Sequence, residues 1–168
     1  LAGATPEEIR QGMRTYAGVD RRFDFKIKTE RCGFLSDYAH HPAEIKQSIL
    51  SLREVFAGRK ISAIFQPHLY TRTRDFYQDF ADALSLLDEV ILLDIYPARE
   101  QPIAGVTSQL IFDRLRPDMQ RRMAHLQDLP QIAEQEDFDV LVVLGAGDAD
   151  TYCPQIADIL RAKYHIEA

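Results

Sequence analysis

The chain has 168 residues, 46% of them hydrophobic and 27% charged, with a formal net charge of −6. That length suits one domain burying roughly 70% of its unfolded surface, with no need of a disulfide or metal staple. The acidic balance argues against electrostatic nucleic-acid binding, and no apolar run approaches the roughly 20 residues of a membrane span. No secretory leader opens the sequence. Cys32 and Cys153 sit in no CxxC pair, which reads as reduced cytosolic thiols. Because Leu1 stands where Met would open a complete chain, a piece of something longer is expected.

Thr5 and Glu8 make the capping box of an opening helix with Pro6 at its first position, and Gly18 is expected to end it. Phe23, Phe25 and Ile27 then alternate with Arg22, Asp24, Lys26 and Lys28, the period of a half-buried strand. A break at Glu30 and Arg31 and a second strand through Phe34 and Leu35 complete a hairpin. Pro42 opens a helix with Ile45, Ile49, Leu52 and Phe56 at helical spacing. Strands are expected over 61–65, 90–95, 123–126 and 140–144, and helices over about 73–87, 108–115, just beyond 126, and 154–162. This alternation predicts an α/β fold over 1–168. The expected form is a Rossmann-like, mostly parallel sheet with helices on both faces, preceded by an N-terminal helix and β-hairpin.

In such sheets ligands bind outside the carboxyl ends of the strands. Four loops placed there carry chemistry: Ser36 to Pro42, Gln66 to Arg74, Asp94 to Glu100, and Gly145 to Asp148. Arg72 and Arg74 lie at a helix N-terminus, where the macrodipole disfavours cations by a few tenths of a kcal/mol. They form either an anion site or surface pairs with Asp75 and Asp79. His40, His41 and His68 with Asp37 lack the spacing of a structural zinc site, and no HExxH occurs. No metal site is expected. His41, just before Pro42, reads equally well as a helix-entry residue. Arg22, on the polar face of its strand beside Arg21, is read on pattern alone as solvated. The run Gly145-Ala146-Gly147 lacks the third glycine of a dinucleotide fingerprint and reads as a tight turn. No GxxxxGK[ST] phosphate loop occurs anywhere in the sequence.

Read together, Asp20-Arg21-Arg22-Phe23-Asp24, the run Asp37 to Pro42, the run Phe65 to Arg74, the run Asp94 to Glu100 and the run Leu144 to Asp148 resemble the C-terminal domain of the Mur ligases. The resemblance covers essentially the whole chain. It implies the third domain of an enzyme whose UDP-sugar and P-loop ATPase domains lie outside this sequence, which would explain the missing phosphate loop. The implied activity is cytoplasmic and bacterial: ATP- and Mg2+-dependent amide-bond formation between UDP-N-acetylmuramate and L-alanine in peptidoglycan assembly. The enzyme's own N-terminal and central domains would be the partners, with no cofactor expected on this domain alone. Carried over by motif, Asp37 would touch the ribose side of ATP and Arg22 would reach its phosphates as the catalytic cation. Tyr38, His40 and Arg72 would shape the alanine site, with His68 beside it. The family pattern puts an aspartate where Ser36 stands and, in many members, an arginine where Leu69 stands, leaving Arg72 to hold the alanine carboxylate alone. A recycling ligase that joins a tripeptide to the same sugar, a stand-alone nucleotide or amino-acid binding module, and a His/Asp metallohydrolase are the alternatives.

Overall fold

A computed structural model describes residues 3–16 and 18–167. In chain order the elements are α1 (Pro6–Thr15), β1 (Asp24–Lys28), β2 (Gly33–Asp37), α2 (Pro42–Val55), β3 (Ile61–Phe65), α3 (Tyr70–Leu84), β4 (Glu89–Leu92), α4 (Gln109–Phe112), β5 (Gln120–Met123), α5 (Leu129–Gln135), β6 (Val140–Leu144) and α6 (Cys153–Tyr164). The strands form one sheet in the order β1-β2-β6-β3-β4-β5. β1 is antiparallel to β2, and every other neighbouring pair is parallel. The expected fold class, hairpin included, is what the chain adopts.

Every residue of β3 and β6 is buried, because helices cover both faces of the parallel strands. On one face Leu35, Ala63 and Val142 pack against Ile45 and Ile49 of α2, Phe80 and Leu84 of α3, and Ile111 of α4. On the other, Phe34, Ile64 and Val143 pack against Ala133 of α5 and Ile156 and Leu160 of α6. Adjacent residues of the same strands thus feed opposite cores. Each fully buried Leu, Ile or Phe contributes about 1.5–3 kcal/mol of burial.

The crossovers from β2 through β5 step one way and place α2, α3 and α4 on the same face. The return from β5 to β6 steps back, so a right-handed connection puts α5 on the opposite face, where α6 also packs. The chain therefore leaves β6 toward one layer while its neighbours β2 and β3 lead into the other. Such a reversal of direction opens a crevice at the carboxyl edge.

Several boundaries differ from expectation. α1 keeps its Thr5–Glu8 capping box but ends at Thr15, short of Gly18, and buries none of its residues. α3 starts at Tyr70 and stops at Leu84, and the helix expected over 108–115 contracts to the four residues of α4. β4 and β5 end at Leu92 and Met123, earlier than their apolar runs suggest. Arg22 is not on a strand. It precedes β1 in a single bridge to Val19, because the left-handed Arg21 (φ 60°) and Phe23 (φ 49°) delay the extended run until Asp24. Among the described residues no helix is long and apolar enough to cross a membrane.

Candidate functional site

The parallel register brings the loops after β2, β6, β3, β4 and β5 to one edge of the sheet. All four loops singled out from the sequence converge there. The fifth, after β5, was not anticipated. It brings His125, whose Nδ1 lies 2.7 Å from the Asp94 carboxylate; that hydrogen bond raises the His125 pKa above its ordinary value.

Gln66 holds the crevice together. Its side-chain amide nitrogen donates to Asp148 at 2.7 Å, its Oε1 accepts from the Ala149 N–H at 3.0 Å, and its backbone N–H donates to Leu144 O. This packing explains the Gly145-Ala146-Gly147 turn. A side chain at Gly145, which sits at φ +131°, would meet the Gln66 carbonyl at 2.7 Å, and one at Gly147 would fall on the Gln66 side chain. The sequence suggested only a tight turn; the structure adds a close backbone approach to Gln66.

The loops after β3 and β4 are zipped to each other. Tyr96 N–H donates to Pro67 O, Leu69 N–H donates to Tyr96 O, and the His68 ring stacks on Tyr96 at 5.6 Å between centroids. Leu69 enters α3 at φ 76°, a strained conformation for a leucine, without a side-chain cap. Glu100 instead accepts the Thr71 N–H and hydroxyl at the helix start, and those bonds hold its carboxyl below the usual range. α3 then breaks its helical geometry at Phe76 (φ −126°, ψ 15°), where the His41 ring packs edge-on at 5.1 Å.

The two arginines of α3 part company. Arg74 pairs with Asp75 at 2.7 Å and faces solvent. Arg72 pairs with neither Asp75 nor Asp79. Its guanidinium donates to His68 Nδ1 at 3.3 Å and approaches His68 O at 3.5 Å. Burial first, then the charges of Arg72 and His40, lower the His68 pKa. His40 faces His68 with ring centroids 6.0 Å apart, and Tyr38 packs edge-on against His40 at 5.2 Å. His41 is the helix-entry residue: its Nδ1 accepts from Ala43, and Glu44 reaches back to complete a capping box. Tyr38, His40, His68 and Arg72 are therefore one cluster, and His41 stands outside it. Among the described residues no three His, Cys, Asp or Glu side chains are grouped to hold a metal ion.

The cations before β1 close the site from the other side. Arg21 and Arg22 both lie over the Tyr38 ring, at 5.0 and 5.6 Å. Arg22 is exposed and has no carboxylate partner among the described residues. Arg21, expected to be solvated, is instead tied in: it pairs with Asp150 at 3.0 Å, donates to Gly147 O at 3.1 Å, and its carbonyl receives the Tyr38 N–H. Asp37 ends β2 with a half-buried carboxylate that has no partner among the described residues. Ser36 is buried with an unpartnered hydroxyl. Both cysteines are free and buried, which pushes the Cys32 thiol up to about 11 and the Cys153 thiol up to about 12.

Comparison with known proteins shows the family. The chain is 61% identical over 163 residues to the UDP-N-acetylmuramate–L-alanine ligase of Phocaeicola vulgatus, covering 97% of this chain and 36% of that protein. It is 51% identical over 160 residues to the enzyme of the same name from Parabacteroides distasonis, covering 95% of this chain and 34% of that one. The chain thus spans about a third of the length of these relatives. Among solved structures, the UDP-N-acetylmuramate-alanine ligase of Thermotoga maritima superposes with a TM-score of 0.73 at 26% identity, over 97% of this chain and 34% of that chain. A murein peptide ligase from Psychrobacter arcticus shares the fold, with a TM-score of 0.66 at 17% identity over 94% of this chain and 33% of that one. Residues 21–147 match the model of the Mur ligase glutamate ligase domain, and the chain belongs to that family.

Proposed function

We propose that the chain is the amino-acid-side domain of a UDP-N-acetylmuramate–L-alanine ligase, a cytoplasmic bacterial enzyme of peptidoglycan assembly. The observation that carries this reading is the Tyr38–His40–His68–Arg72 cluster, set at the carboxyl edge of a chain 61% identical to a protein of that name. In the full-length enzyme ATP phosphorylates the muramoyl carboxylate, the amine of L-alanine attacks the acyl phosphate, and phosphate leaves. Within this chain Arg72 holds the alanine carboxylate, since a guanidinium offers two parallel hydrogen bonds, while Tyr38, His40 and His68 wall the site. Asp37 faces the ribose of ATP. Arg22, lacking a carboxylate of its own, meets the phosphoryl charge that develops in the transition state. Closure of this domain over the central one excludes the water that would hydrolyse the acyl phosphate.

The sequence has no phosphate loop, and this reading assigns the γ-phosphate and Mg2+ to the central domain. The chain by itself is therefore expected to release no phosphate from ATP, with or without UDP-N-acetylmuramate and L-alanine. The full-length enzyme is expected to release it only with both acceptors present. ATP turnover by the purified 168-residue chain above a heat-inactivated control would contradict this assignment of parts.

A further inference from the structure

The partners of the two imidazoles in the cluster call for opposite tautomers. His40 Nδ1 lies 2.9 Å from Tyr38 O and 3.4 Å from the Glu44 carboxylate. A carbonyl and a carboxylate only accept, so that nitrogen carries a proton, and in the neutral ring Nε2 keeps its lone pair. His68 is the reverse. Its Nδ1 faces the Arg72 guanidinium at 3.3 Å, and a guanidinium only donates, so Nδ1 is the acceptor and the proton sits on Nε2. Burial first, then the Arg72 charge, disfavour the imidazolium of this ring. Among the described residues neither Nε2 has a hydrogen-bond partner, and no bond joins the rings, whose centroids stand 6.0 Å apart. One site wall thus presents an unpaired proton acceptor and an unpaired donor.

Resting on the alanine-ligase reading above, we infer that His40 is the base that frees the alanine amine, and that neutral His68 donates from Nε2 to the oxygen that gains charge. L-Alanine arrives as an ammonium with no lone pair to attack. His40 Nε2 takes one N–H proton, leaving a neutral amine and an imidazolium whose charge the Glu44 carboxylate offsets. The amine lone pair forms the C–N bond while the carbonyl π pair moves onto oxygen, where the His68 Nε2–H meets it. As the carbonyl re-forms, the C–O bond to phosphate breaks and its electron pair leaves with the phosphate. The second nitrogen proton departs with it as hydrogen phosphate, and His40 returns its proton to solvent. Ser–His–Asp sites use a related device; here the Tyr38 carbonyl fixes which imidazole nitrogen is the base, with the Glu44 carboxylate beside it.

Two measurements test this. Nitrogen-15 NMR of the imidazoles in the 168-residue chain is expected to show protonated Nδ1 at His40 and protonated Nε2 at His68; the same tautomer in both rings overturns the inference. In the full-length ligase, L-alanine is compared with hydroxylamine, a nucleophile already neutral near pH 8 that traps the acyl phosphate without a base. His40→Gln is expected to lower the alanine rate about a hundredfold more than hydroxamate formation. His68→Gln, which keeps an N–H donor, is expected to retain alanine turnover within about tenfold, whereas His68→Leu loses about a hundredfold or more. Equal losses with both nucleophiles in His40→Gln overturn the base role. A wild-type enzyme that forms hydroxamate but never ligates alanine would instead contradict the alanine reading, with the tautomers still standing on the NMR.

Discussion

The two edges of the sheet spend their charge differently. At the amino edge Arg53 pairs with Asp88 at 2.8 Å, and Asp88 also accepts the Ile61 N–H at 2.7 Å. Lys60 pairs with Glu89 at 2.8 Å, and Glu89 accepts the Ser62 hydroxyl. Arg59 donates to the carbonyls of Thr29 and Asp139. A hollow of about 540 Å³ opens among Arg53, Arg59, Lys60 and Asp88, yet its cations are already bound. At the carboxyl edge Arg22 and Asp37 have no partner of opposite charge among the described residues, and Arg72 finds only an imidazole and a carbonyl. Left-handed residues follow the same division: Arg21, Phe23, Leu69 and Ala98 lie on loops of the carboxyl edge, and of the described non-glycine residues only His165 lies elsewhere. Unpaired charge and backbone strain persist where a ligand repays them, so cavity size is the poorer guide to function here.

Substitutions at the two edges of the full-length enzyme should separate these roles. Arg22→Ala is expected to lower kcat by a hundred- to thousandfold, about 2.7–4 kcal/mol, with a smaller rise in the KM for L-alanine. An unchanged kcat would return Arg22 to a solvated surface role. Arg72→Lys keeps the charge but loses the planar fork, so titration of alanine at saturating ATP should show its KM raised about tenfold or more, on the order of 1.5–3 kcal/mol. The KM for ATP should hold steady, and an alanine KM within about twofold of wild type would remove Arg72 from the site.

At the amino edge the readout is stability rather than turnover. Hydrogen bonds from Arg53 and the Ile61 N–H hold the Asp88 carboxyl below its ordinary 3.8, against the opposing effect of burial. A depressed folded pKa contributes stability that is fully present above pH 3.8 and is lost as pH falls through the lower folded value. Asp88→Asn should therefore lower the urea midpoint at neutral pH, and the deficit should shrink on acidification below 3.8. A deficit independent of pH would show that the charge contributes nothing. Arg74→Ala, which breaks only an exposed pair with Asp75, should change neither the melting temperature nor the alanine KM. A raised KM would place Arg74 beside Arg72.

The sequence revealed what is local and periodic. The apolar runs of β3 and β6, the capping boxes at Thr5 and the entry at His41-Pro42 all depend on near neighbours, and each is found. The chemistry-bearing loops were legible because strand–helix alternation alone sends them to one edge. What was missed depends on partners far along the chain. Arg21 meets Gly147 at a separation of 126 residues, Gln66 meets Asp148 at 82, and His125 meets Asp94 at 31. Arg22 was misplaced onto a strand for the same reason, since the Tyr38–Arg21 backbone bond accompanies a left-handed turn that no alternation pattern encodes.

The position of β6 also sets an order of assembly. The last strand in the sequence lies in the middle of the sheet, pairing with β2 on one side and β3 on the other, while β2 and β3 share no ladder. A chain halted before Val140 holds a hairpin and a three-stranded sheet with no ladder to join them. Both closing ladders are long-range, so their loop entropy must be met before either rewards it, and topology of this kind folds slowly. The Gln66–Asp148 bond and the Arg21 clamp depend on that same late insertion. The carboxyl edge is thus completed only once β6 is in place.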